Sequence, residues 1–516
     1  MKHQTFVTTL ALLAALAIPG QTTAQETQPD HNTHHHKYKL IDLGTFGGPQ
    51  GFINPTGNGW PYFNNVGDIV ATAQTAIPLP PDSNGPLCAP GTYVNHALRQ
   101  HGRKITDLGA LSPSEQNCSN ALGINDKGQI AGQSENGVID PLLGVIEARA
   151  VVWNNGKIID LGTFGGNHSA AFSINNQGQV GGFALNAIPD PLSIYGVFFF
   201  GSTNSTQTRG FLWQNGRKRD LGTLGGPDTF AVFVNARGQV SGGSYTNSTP
   251  NPTTGLATID PFLWENGRMI DLGTLGGTFG LPVAPNNRGQ LAGSSNLAGD
   301  TASHPFFWDR ATLTDLGTLG GTNGAANWLN DAGEVVGQAD LVGDEAYHAF
   351  LWKNGRMKDL GVLPGDTCSS AFAINSSSQI VGISSPDCGF FITAFLWEDG
   401  DLVDLNDLVS PKSDVILFEP NAISDQGVIG VNGIPPGCDN LDVCGHPYLL
   451  VPIGDCDHDN EARIAARQNR EATAILRGSG SHLMIGGKTP VSPIERMRNL
   501  VRRSSRLSGR RMIQPD

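Results

Sequence analysis

Charge is scarce in this chain: Asp, Glu, Lys and Arg make up 15% of its 516 residues, and what there is divides unevenly. Through Pro452 there are 21 Lys and Arg against 39 Asp and Glu, a difference of −18, whereas the tail from Ile453 carries 12 against 7, a difference of +5. An acidic body repels phosphate backbones, so nucleic acid is not an expected partner. Long apolar runs are missing too. A membrane helix needs about 20 apolar residues, and no segment after the N-terminal leader comes near that, so no membrane span is expected. Familiar catalytic signatures are missing as well, with neither a Gly-x-Ser-x-Gly elbow nor a His-Glu-x-x-His pair. Gly487-Lys488-Thr489 has the look of a phosphate loop, but His482 stands where its first glycine belongs. Helix breakers abound: 67 glycines and 32 prolines exclude long helices and suit short strands joined by tight turns. An all-β fold is the expectation.

The ends read differently from the body. Lys2 and His3 precede an apolar run over 6–18 and the small-residue site Thr22-Thr23-Ala24, the pattern of a secretory signal cleaved after Ala24. A polar leader over 25–37 follows, and its His31, His34, His35 and His36 could hold zinc or copper weakly, though a disordered linker accounts for it. Beyond 453, Asp455, Asp457 and Asp459 open a calcium-loop pattern. Asn460 then replaces the turn glycine and Ala466 the closing glutamate, so the trio reads as an acidic start to a helix over 461–476. Calcium is the one candidate ion there, and no cofactor is implied. Arg502, Arg503, Arg506, Arg510 and Arg511 make the last segment a basic tail suited to anionic surfaces.

Between the ends a unit repeats. Asp-Leu-Gly recurs at Asp42, Asp107, Asp160, Asp220, Asp271, Asp315 and Asp359, with Asp-Leu-Asn at Asp404; the steps are 65, 53, 60, 51, 44, 44 and 45. A period of roughly 40–50 residues is the length of one four-stranded propeller blade. In the sixth unit the four strand-like pieces a, b, c and d fall at 325–329, 334–338, 348–352 and 356–360. Asn-x-x-Gly joins a to b at Asn125, Asn175, Asn235, Asn286 and Asn330. Asn-Gly joins c to d at Asn155, Asn215, Asn266 and Asn354, with Asp399-Gly400 as a variant, and predicts type I′ hairpins. Strand c ends in Trp153, Trp213, Trp264, Trp308, Trp352 or Trp397, one large side chain per unit that packs units together. Each repeated Asp is expected to accept the amides of the Gly-rich turn after it. The body opens on a lone d strand over 38–43 and closes on a, b and c, ending at 446–451. The two termini together therefore complete a last blade, which removes an open edge. Eight blades are predicted, with seven as the alternative count.

His348-Ala349-Phe350-Leu351-Trp352, the Asp-Leu-Gly-Thr-Leu-Gly-Gly of 315–321 and Asn330-Asp331-x-Gly333 together resemble the HAF repeat of bacterial extracellular proteins, over about residues 38–452. The resemblance implies export and repetition and brings no activity with it. The motif histidine stands at His96, His304, His348 and His446, but Arg149, Arg209, Asp260 and Thr393 replace it elsewhere, which argues against a histidine metal ring.

Alternating strands put the a–b and c–d turns at one face, and the b–c loops with the d-to-a crossings at the other. Units one to four carry long b–c insertions on the second face, near 75–95, 134–148, 184–208 and 244–260. Six cysteines fall there, and proximity pairs them as Cys88–Cys118, Cys368–Cys388 and Cys438–Cys444, leaving Cys456 over. An exported chain meets the oxidising conditions that such bridges need. Tyr195, Phe198, Phe199 and Phe200 form an apolar cluster in the third insertion; exposed, they mark a ligand or partner patch, and folded back they are core. The expected protein is a monomeric, exported, non-catalytic binding module for an extracellular protein or glycan. A loop-built hydrolase or lyase and an architectural surface protein are the alternatives.

Overall fold

The computed structural model describes residues 36–453 apart from 55–60, 112–113, 253, 390–391 and 439–440. The signal segment, most of the histidine leader, Cys456, the Asp455, Asp457 and Asp459 trio, the 461–476 helix and the basic tail lie outside the described residues. Within them the chain is all-β, and its only α-helix is the single turn Leu441–Cys444. No helix among the described residues is long and apolar enough to cross a membrane.

Alternation and turn chemistry produce the unit. In the sixth, strands a (Gly320–Leu329), b (Val335–Leu341), c (Tyr347–Lys353) and d (Arg356–Asp359) pair antiparallel in that order. The c–d turn needs two left-handed residues, and Asn354 (φ 53°) with Gly355 (φ 76°) supplies them, as a type I′ turn demands. Six sheets have four strands; the seventh has eight, because the c strand of the fourth unit (Ile259–Glu265) meets the a strand of the fifth (Gly276–Pro282) at one parallel pair, Ile259↔Phe279. The arrangement is thus seven or eight four-stranded antiparallel sheets in a propeller-like repeat.

The terminal strands do pair. Lys37–Asp42 runs antiparallel to His446–Ile453, from Tyr38↔Pro452 to Asp42↔Tyr448, and serves as strand d of a sheet whose other strands are Ile416–Ile423 and Ile429–Ile434. This eighth unit also touches the first: Gly51 N donates to Gly445 O at 2.8 Å. Asn432 exchanges two hydrogen bonds with the backbone of Ile53, at 2.8 and 2.9 Å.

Neighbouring units are joined in two ways. Apolar side chains interleave: Trp397 of the seventh packs with Leu351 and Leu360 of the sixth, and Phe307 of the fifth lies 5.0 Å from Trp352 of the sixth. At the a–b turns the link is polar. The side-chain amide of Asn64 donates to Asn125 O, and so on through Asn125, Asn175, Asn235, Asn286, Asn330 and Asn375 to Ser424 O, at 2.8–3.1 Å. The same asparagines cap their own turns, as Asn235 Oδ1 does for the amides of Arg237 and Gln239, both at 3.0 Å. Asn235→Ala removes both functions and leaves buried partners unsatisfied, so it should cost about 1–3 kcal/mol in a urea melt; an exposed asparagine with ordinary backbone, Asn204→Ala, serves as the control.

Strand a converges inward. Phe233 of the fourth unit meets Trp328 of the sixth edge-on, with centroids 5.6 Å apart, across the fifth.

Candidate functional site

The insertion face is built on lengthened hairpins. In the first three units strand b runs to Pro78, Ile139 and Pro189, beyond the loop starts that the sequence suggested, and rejoins strand c at Pro78↔Tyr93, Ile139↔Ile146 and Pro189↔Thr206. Each has a register shift before that last pair. The local cause is a side chain that caps the amide two residues on: Thr75 for Ile77 (3.2 Å), Asn136 for Val138 (2.9 Å) and Asn186 for Ile188 (2.8 Å). The capped bulges lift apolar side chains outward, and Val138 and Ile188 are 53% and 54% exposed. Ile139, Leu142, Val342 and Val443 are exposed on the same face.

The aromatic cluster lies beneath these knuckles, not above them. A single π turn, Gly196–Phe200, closed by Gly201 at φ 62°, folds the third insertion back onto its sheet. Tyr195 and Phe198 are buried, Phe199 and Phe200 half-buried. Tyr195 stacks 5.3 Å from Phe183, which touches Phe172 and Phe230 of neighbouring a strands. Of the two expectations for these four residues, the exposed patch is corrected: burial of three phenyl rings and a phenol outweighs the ordering of a loop rich in small residues. Beneath the same loop the Tyr245 hydroxyl donates to Leu192 O at 2.9 Å.

What clamps the loops is a single position at the start of strand a. In the second unit Cys118 holds it and is bonded to Cys88 in the preceding b–c loop. His168 follows in the third: its Nε2 lies 2.9 Å from Asp140 Oδ2 in the preceding insertion, while its Nδ1 accepts from Ala148 N at 3.1 Å. In the fourth it is Asp228, which accepts from Ile194 N at 2.6 Å and Thr208 N at 3.0 Å. Asn323 accepts from Ser303 N at 3.2 Å in the sixth, and Cys368, accepting from Tyr347 N at 3.3 Å, is bonded to Cys388 in the seventh. The third bridge, Cys438–Cys444, staples the last b–c loop.

Electrostatics differ sharply between the two buried clamps that carry acids. Burial works against the Asp140 carboxylate, yet hydrogen bonds from His168, the Leu142 amide and Asn167 outweigh it and hold the group below its usual range. Burial pushes Asp228 well above that range; Asp190 pushes the same way, and the two amide donors oppose them.

The motif histidines are spent on the repeated aspartates. Every one of Asp42, Asp107, Asp160, Asp220, Asp271, Asp315, Asp359 and Asp404 accepts the amide two residues on, at 2.7–2.8 Å. His96, His304, His348 and His446 then donate across the c–d pair to Asp107, Asp315, Asp359 and Asp42 at 2.9 Å. Arg209 grips Asp220 through two nitrogens at 3.0 and 3.1 Å, and Arg149 stands 3.6 Å from Asp160. Either a His or an Arg can donate to the carboxylate, which explains their exchange at this position; Thr393 is an uncharged exception. Asp260 breaks the rule: burial and the facing Asp271 carboxylate push it up to about 7. Among the described residues no group of three or more His, Cys, Asp or Glu is placed to hold a metal. Trp153, Trp264, Trp308 and Trp397 are buried between units, and Trp213 and Trp352 half-buried.

Sequence reasoning did not find the clamp position, because its occupants share no chemistry. The signal that was available is partial: in three units with an intact Gly-Gly pair the residue stands three places after the first glycine, at His168, Asp228 and Asn323, and a serine or threonine follows it in Ser119, Ser169, Thr229 and Ser369.

No family model and no curated protein matches the chain. Among solved structures it is similar to a gluconolactonase from Xanthomonas campestris, at 9% identity and a TM-score of 0.26, over 63% of this chain and 83% of that one. It is also similar to TolB from Acinetobacter baumannii, at 9% identity and 0.28, over 66% and 80%. A structure from a study of two prolyl endopeptidases is similar at 12% identity and 0.39, over 75% of this chain and 54% of that one.

Proposed function

We propose that the chain is an exported, non-catalytic binding protein: a closed eight-bladed propeller of HAF-type repeats that takes an extracellular protein or glycan on its insertion face. The observation that carries this reading is the set of apolar side chains, Val138, Ile139, Leu142 and Ile188, held out on adjacent, capped and bulged hairpins. Exposed apolar groups on a rigid scaffold are characteristic of interaction surfaces. Three disulfides suit an oxidising compartment. The acidic and basic groups below that face, Asp140, His168, Asp190 and Asp228, are buried in bonds between loop and blade, which favours binding over a loop-built hydrolase.

The test is a screen of the full mature chain against immobilised extracellular polysaccharides and secreted proteins, repeated with Val138→Asp/Ile188→Asp. Loss of capture by about tenfold or more is expected, since two buried aliphatic contacts are each worth about 1.5–3 kcal/mol. Undiminished capture by a variant that melts normally would place the surface elsewhere.

A further inference from the structure

The opposite face, where the a–b and c–d turns lie, carries a feature that the repeat does not account for. Strand d of the third unit reads Arg217-Lys218-Arg219-Asp220. The position of Arg219, paired with Leu212, is held by Thr106, Ile159, Ile270, Thr314 and Val403 in five other units and by a cation, Lys358, in the sixth. The third unit has therefore placed a guanidinium where five other units manage with small or apolar residues and the sixth has an ammonium. Lys218 points the other way, donating to Leu161 O and Thr163 O at 3.0 and 2.7 Å, so it belongs to the blade junction.

Arg217 and Arg219 instead line a cleft of about 730 Å³ between the third and fourth units, together with Arg237, Trp264, Gln179 and Gln214. That volume is in the range of small-molecule sites, about 300–1,000 Å³. The Arg219 guanidinium lies over the Trp264 ring, 5.0 Å from its centroid. Stacking occupies the face of a guanidinium and leaves its edge donors free. Lys358 covers Trp397 in the same manner at 4.7 Å, with Arg356 at the position of Arg217; the cleft of the third and fourth units differs in having a guanidinium on the ring and in adding Arg237 beside it. Among the described residues Glu265, 3.6 Å from Arg237, is the one carboxylate paired with any of the three arginines. Arg217 and Arg219 are exposed and have no carboxylate partner there. In a body with 39 acidic residues against 21 basic ones, two unpaired guanidiniums side by side are a local reversal of sign.

We propose that this cleft binds an acidic oligosaccharide, with the carboxylates of uronate residues taken by the edges of Arg217 and Arg219. Planar guanidiniums match a carboxylate with two parallel hydrogen bonds. The side-chain amides of Gln179 and Gln214, which approach each other at 3.4 Å, supply both donors and acceptors for sugar hydroxyls. Repulsion from the acidic body is short-ranged at about 0.15 M ionic strength, where the screening length is about 8 Å, so the arginine pair decides the sign of the contact.

Calorimetric titration of the full mature chain at that salt, with trigalacturonate as the probe and maltotriose, phosphate and sulfate as controls, tests the site. Saturable binding of the uronate and none of maltotriose is expected. Arg217→Ala/Arg219→Ala should weaken it by about tenfold or more, the scale of a lost charge-assisted hydrogen bond. Arg219→Lys retains the stack on Trp264 but loses the two-bond match, so it should fold normally and still bind more weakly. Lys157→Ala and Arg356→Ala, which alter the matching d strands of the second and sixth units, should change nothing. The proposal is overturned by absence of saturable uronate binding, by phosphate or sulfate binding equally well, or by variants that bind as the native chain does.

Discussion

A chain shortened to begin at Gly44 should melt far below the full-length protein and scatter light on warming, and a peptide of residues 36–44 added in trans should restore it. The segment removed contains the fourth strand of the eighth sheet. Tyr38 and Leu43 are 2% and 0% exposed, and Tyr38 packs with Val381, Leu396, Leu405 and Tyr448. Burial of two such side chains is worth about 3–6 kcal/mol. The ladder from Lys37↔Ile453 to Asp42↔Tyr448 goes with them, as do the His446–Asp42 pair and the Lys37 bond to Asp407 O at 3.1 Å. Against a usual stability of about 5–15 kcal/mol the sum is large. The exposed edge of His446–Ile453 then becomes a template for other chains, hence the scattering. Because the missing piece is a single strand that pairs through its backbone, a peptide can replace it by strand addition. A truncated chain that melts like the native one, or a scrambled peptide that rescues equally, would remove the claim that the termini close the last sheet.

How much of this was legible in the sequence follows from how local each signal is. Turn types depend on two to four neighbouring residues, so Asn354-Gly355 and the Asn330 turn could be read directly, and with them the a-to-d order. The incomplete unit at each end told which strand pairs with which: 37–42 with 446–453. Cysteine pairing became readable once strand direction placed Cys88 beside Cys118 and Cys368 beside Cys388. The third insertion was harder. Its aromatic residues are compatible with exposure or burial, and the choice turns on Phe183 and Phe230, which lie on other elements. Asn235 illustrates a second kind of loss: its turn function is local, but its bond to Asn286 O joins residues 51 apart. The clamp position is the extreme case. Cys118, His168, Asp228, Asn323 and Cys368 occupy equivalent places, and only the fold reveals that a disulfide, an imidazole, a carboxyl and an amide do the same job.

The fourth unit's clamp gives the protein an unusual dependence on pH. Asp228 is fully buried, and burial first, then Asp190, raise its pKa well above the ordinary value of about 3.9 for an aspartate. A group whose folded pKa exceeds its unfolded one binds its proton more tightly in the native state. Its stabilisation is complete below the unfolded value and drains away as pH rises through the folded one. Asp140 works in the other sense: its lowered pKa stabilises above the unfolded value and is lost on acidification. Urea melts should therefore show the native chain more stable at pH 5 than at pH 8. Asp190→Asn keeps an oxygen for the Leu192 amide, which Asp190 now binds at 2.8 Å, and takes away the second acid. It should raise the midpoint at pH 8, leave pH 5 nearly unchanged and so flatten the slope. Asp228→Ala should do the opposite at every pH, because the Ile194 and Thr208 amides lose their buried acceptors, at about 1–3 kcal/mol each. An Asp190→Asn chain with the native slope would mean that the two acids do not share the strain of that site, and that the decline toward alkaline pH arises at Asp260, which faces Asp271 on the neighbouring strand.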